Sequence, residues 1–97
     1  MACEDEQEAL DAAEGDVLVA ADVLEVAEAI RDTAQGVLTA CLAGPGPCND
    51  EQDAYDAAEA DRVIAEADLA TKEAIRDTAQ GVLDVCLGLG TGGPGGP

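Results

Sequence analysis

EAIRDTAQGVL occupies residues 28–38 and recurs, letter for letter, at residues 73–83. The offset of 45 positions between these runs (73 minus 28) also aligns CEDEQEALDAAEGD at 3–16 with CNDEQDAYDAAEAD at 48–61, and Cys41-Leu42 with Cys86-Leu87. Chance does not produce an identity of that length, so the chain is two copies of one unit and both copies are expected to share one fold.

The unit reads as a helix. No proline falls within 3–42 or 48–87, whereas the join AGPGP at 43–47 and the tail GLGTGGPGGP at 88–97 are dense in helix breakers. Ala, Glu, Leu and Gln favour helix throughout, acidic residues crowd both first turns where the macrodipole welcomes them, and Asn49 or Asp50 is placed to cap the second copy. The divisions expected are repeat 1 at 1–42, a turn at 43–47, repeat 2 at 48–87 and a flexible tail at 88–97. Each helix would run roughly 60 Å. Gly36 and Gly81, at matching places in the two copies, are where a kink is expected if one occurs. The competing arrangement bends each repeat into its own hairpin, giving four shorter helices.

Cysteine spacing chooses between them. Pairing Cys3 with Cys41, or Cys48 with Cys86, would join opposite ends of one straight helix, far beyond the ~7 Å that bridged Cα atoms allow. Pairing Cys3 with Cys48 would need the second helix to start beside the first, which a five-residue join cannot reach. An antiparallel hairpin brings Cys3 to Cys86 and Cys41 to Cys48, and both pairs sum to 89, the constant that one antiparallel register requires. Free thiols or zinc ligands are the competing use of four cysteines, but the chain has no His and no CxxC pair. No metal site and no cofactor are expected.

The same register sets Leu10 opposite Ala79, Ala20 opposite Leu69, Leu24 opposite Ala65 and Ala34 opposite Tyr55, a large side chain facing a small one each time. With Val17, these residues form the expected seam between the helices, at heptad spacing. Beside it runs a second apolar face of Val19, Val23, Val26, Ile30 and Val37, repeated by Ile64, Ile75 and Val82. One partner helix cannot cover both faces, so association into a four-helix bundle or a fibre is expected.

Charge narrows the function. Asp and Glu number 22 against four Lys and Arg, a net charge of −18, which leaves no basic patch for nucleic acid. Diffuse, weak divalent-cation binding is compatible with such acidity. Arg31, Arg62 and Arg76 fall at seam positions and are expected to lie over facing alanines and reach carboxylates. Lys72 is expected to pair with Asp68 one turn back or with Asp16 across the register. No catalytic residue is identified: solvated carboxylates on a helix face share one environment, and acid-base work needs groups tuned apart. No apolar run approaches the ~20 residues of a membrane span, and the acidic start is unlike a signal peptide.

The sequence therefore predicts an all-α fold: an antiparallel hairpin of two long, alanine-rich, coiled-coil-like helices stapled by two disulfides. The function expected is a non-enzymatic structural or self-assembling subunit, a homo-oligomer, in a secreted or extracellular location with its leader absent from this sequence. The alternatives are a small secreted binding module, such as an inhibitor, effector or antifreeze-like surface binder, and a designed helical protein.

Overall fold

A computed structural model of the chain describes residues 3–88. It contains two helices, α1 (Glu4–Leu42) and α2 (Asn49–Leu87), of 39 residues each. Disulfides join Cys3 to Cys86 and Cys41 to Cys48, each with 6.0 Å between Cα atoms, so the fold is the antiparallel hairpin expected of the sequence. The tail residues beyond 88 lie outside the described part.

The helix ends differ in one respect from the sequence reading. The Cys3 carbonyl accepts the Gln7 N–H and the Cys48 carbonyl accepts the Gln52 N–H, both at 2.9 Å, so each helix begins at a cysteine and Asn49 is already its first helical residue rather than its cap. A staple thus sits at the entry of each helix. At the far end of α1, Ala43 donates to the Thr39 carbonyl at 3.2 Å and Gly44 to the Cys41 carbonyl at 2.9 Å, after which Pro45 and Pro47 have no N–H with which to continue. Gly88, at φ 78°, takes the left-handed conformation that ends α2, a geometry costly for any side chain. Neither helix is interrupted at Gly15, Gly36 or Gly81, so the kink considered at the last two does not break the helix, and neither repeat folds on itself.

The chain divides into two compact units, one made of the residues up to Val19 with those from Ala70 on, the other of Ala20–Leu69. Each contains a stretch of α1 packed against a stretch of α2. In the first unit Leu10, Ala13 and Leu83 are buried; in the second, Ala20, Ala27, Leu38, Ala58 and Ala65 are buried. Five of these eight are alanines, and among the described residues no side chain is entirely enclosed. The interface is thin because alanine lets two backbones approach closely while contributing little apolar area of its own.

Candidate functional site

The expected seam residues divide by depth. Leu10, Ala20 and Ala65 are buried, while Val17, Leu24, Ala34, Tyr55, Leu69 and Ala79 are half-buried. From Cys3 along α1, positions 3, 6, 10, 13 and 17 in the first unit, and 20, 24, 27, 31, 34, 38 and 41 in the second, are covered and step by three and four residues in alternation, with Ala21 and Glu28 half-buried beside them. That is heptad spacing, with Cys3 and Cys48 at position a.

Heptad geometry gives each helix two flanks beside its seam. The e positions of α1 and α2 hold mostly Glu and Gln, whereas the g and c positions hold most of the valines and isoleucines. In the 20–69 unit the polar flank is tied by ion pairs. Glu59 accepts a forked pair of hydrogen bonds from Arg62, at 2.7 and 3.1 Å, and a third from Arg31 of the other helix at 3.3 Å. Arg62 reaches on to Glu66 at 3.2 Å, and Arg31 to Asp32 at 2.8 Å.

Arg62 is the first cause holding the Glu59 carboxyl below its ordinary range, and Arg31 adds to it. In return Glu59 chiefly holds the Arg62 guanidinium above its usual value, while Asp32 leads for Arg31. Sequence reasoning placed the arginines correctly at the seam but did not single out Glu59. The signal was there: Glu59 lies three residues before Arg62, and its number and that of Arg31 sum to 90, one step off the register constant.

Arg76 donates to Asp77 at 3.0 Å. Lys72 is half-buried, Asp16 and Asp68 are exposed, and Lys72 and Asp68 are both engaged in interactions. Gln7 with Asp11, Gln52 with Asp56 and Gln80 with Asp84 make hydrogen bonds one turn apart on the polar side.

The second apolar face stands in the open. Val19, Val23, Val26, Ile30, Val37, Ile64, Ile75 and Val82 are each 51–67% exposed. In the 20–69 unit this face is not flat. Ala27, Ala58 and Ala65, being small, form the floor of a groove of about 480 Å³ between the two helices. Val23, Val26 and Ile30 of α1 and Ile64 of α2 wall it, with Asp61 and Asp68 on the α2 rim. Two shallower depressions continue it: one shares Ile30 with the groove, and the next, lined by Ala34, Val37 and Ala54, has Asp50 and Glu51 at its edge.

Together they make one furrow following α1 from Val23 to Val37, about 20 Å of helix. Its α1 wall is apolar except for Thr33. Its α2 edge carries Asp50, Glu51, Asp61 and Asp68, and no Lys or Arg lines it. The groove was not legible as such in the sequence, which showed the apolar stripe but not the depth left by three alanines.

The carboxylates of Glu6 and Glu51 lie within 4.8 Å of the disulfide sulfurs of Cys3–Cys86 and Cys41–Cys48 respectively. Oxidised sulfur is not the thiolate that binds metal, so these groupings are staples with an acidic neighbour. Among the described residues no helix is long and apolar enough to cross a membrane. Comparison of the chain with protein-family models, with curated proteins and with solved structures returns no match, so the residues themselves are the basis for its function.

Proposed function

We propose that the protein is a non-enzymatic structural subunit that works by packing helix against helix, in a secreted or extracellular setting. The observation that carries this reading is the exposed second face: eight valines and isoleucines, each more than half in water, on a hairpin whose seam is already filled. An apolar stripe of that extent is a stable feature of a soluble protein only when something covers it. Copies of the chain meeting along this flank complete a multi-helix bundle, the usual solution for helix pairs with a second apolar stripe. The two disulfides support placement in an oxidising compartment.

Each copy carries −18, so assembly is opposed by charge and proceeds where salt screens it. Sedimentation velocity on the oxidised protein, over a wide concentration range at low and high NaCl, tests the reading. Mass should climb above that of the single chain with both concentration and salt. A strict monomer under every condition would overturn self-assembly.

A further inference from the structure

The charge that holds copies apart selects a different occupant for part of the same flank. We propose that the furrow of the 20–69 unit docks a cationic amphipathic helix from another protein. This rests on the helix-packing reading above and names the partner that acts at low ionic strength.

Length and cross-section point to a helix. The furrow follows about 20 Å of α1, the span of four helical turns, and is too open and too long for a compact small molecule. An amphipathic helix enters such a groove by setting apolar side chains at i, i+3, i+4 and i+7 against the walls, here Ile30 and Ile64 above an alanine floor.

Charge identifies which helix. With acids along one edge, an apolar wall along the other and no cation in the lining, the furrow asks for lysine or arginine down one side of its guest. A second copy of this chain does not meet that demand. Its four cations all lie at seam positions: Arg31, Arg62 and Arg76 are bonded to carboxylates, and Lys72 is half-buried and engaged. A second copy would add its own carboxylates to those already at the rim.

The test uses the oxidised full chain and three labelled synthetic helices of 18 residues. The first has leucine at every third or fourth place and lysine along one edge. The second replaces lysine with glutamate, and the third scrambles the first. Anisotropy reports peptide binding and sedimentation reports the mass of the chain in the same samples.

The lysine helix should bind at low salt and weaken about tenfold between about 20 and 300 mM NaCl, while the other two bind at least tenfold less well. Ile30→Glu and Ile64→Glu should each abolish binding with helicity intact, since both side chains are exposed in the free protein. Asp61→Lys should weaken binding several-fold more than Asp53→Lys, which makes the same change in net charge at an exposed site outside the furrow.

Equal weakening by the two lysine variants would show diffuse attraction only and overturn the proposal, as would binding that survives Ile30→Glu. Self-association without peptide binding would overturn it while leaving the structural-subunit reading intact. Peptide binding by a chain that never self-associates would support it and sink self-assembly instead.

Discussion

Glu59 ties the two helices of its unit together through one carboxylate, and its pH behaviour follows from its neighbours. Its folded value is depressed by Arg62 and then Arg31. The stability it contributes is therefore present above the ordinary glutamate range and is lost as pH falls through the lowered folded value. Glu59→Gln should lower the melting temperature modestly at about pH 7, and the gap from the parent should shrink as pH falls through the lowered Glu59 value and its carboxylate is protonated. A gap that keeps its size across that fall would show that packing, not charge, was lost. Glycine makes the opposite case. A methyl group added at Gly36 or Gly81 would meet nothing within 4 Å, and both residues are mid-helix. Gly36→Ala and Gly81→Ala should each stabilise the protein by about 1 kcal/mol, read from urea unfolding, because alanine loses less backbone freedom and strains nothing here. Destabilisation by either would mean the helix is not regular at that point.

At the scale of elements, two near-identical helices pose a question of pairing, since either could pair with a copy of itself. The register answers it for α2. Its own copy, aligned so that Cys48 meets Cys86, would set Arg62 opposite Lys72, both sums being 134. In the first repeat the corresponding positions are Val17 and Ala27, so pairing α1 with α2 gives each cation an apolar neighbour instead. The staples then hold the pair. The Cys3–Cys86 bridge spans a sequence separation of 83 and the Cys41–Cys48 bridge one of 7. On the chain-entropy account, replacing the first pair by serine should cost about 4–5 kcal/mol and the second about 2 kcal/mol. Denaturant unfolding of the two double variants measures both. The reverse order would indicate that the unfolded chain keeps its hairpin without the long-range bridge.

For the molecule as a whole, charge and a thin core dominate. With −18 on 97 residues and alanine as the main buried side chain, like-charge repulsion acts against little apolar burial. Screening relieves the repulsion more than it weakens the few exposed ion pairs, so the melting temperature of the oxidised protein should rise from about 0.02 to 0.5 M NaCl. Scanning calorimetry across that range checks it. A fall with salt would mean that the Arg31, Glu59 and Arg62 cluster outweighs the surrounding acids.

Helix, turn, pairing of cysteines and register were all determined by the sequence, because each rests on local or countable chemistry. Prolines lie only in the join and tail, the repeat makes both halves alike, and 3 with 86 and 41 with 48 share one constant sum. The exposed stripe, too, is a matter of spacing. What the tertiary structure decided is how side-chain size becomes shape. Ala27, Ala58 and Ala65 read singly as good helix formers, and only where α1 and α2 pack do they become the floor of a furrow. The ion-pair cluster around Glu59 likewise comes from both helices at once, and the α2 acids become a rim only opposite the apolar wall of α1. A furrow belongs to the space between two helices, and helical spacing within one of them does not contain that distance.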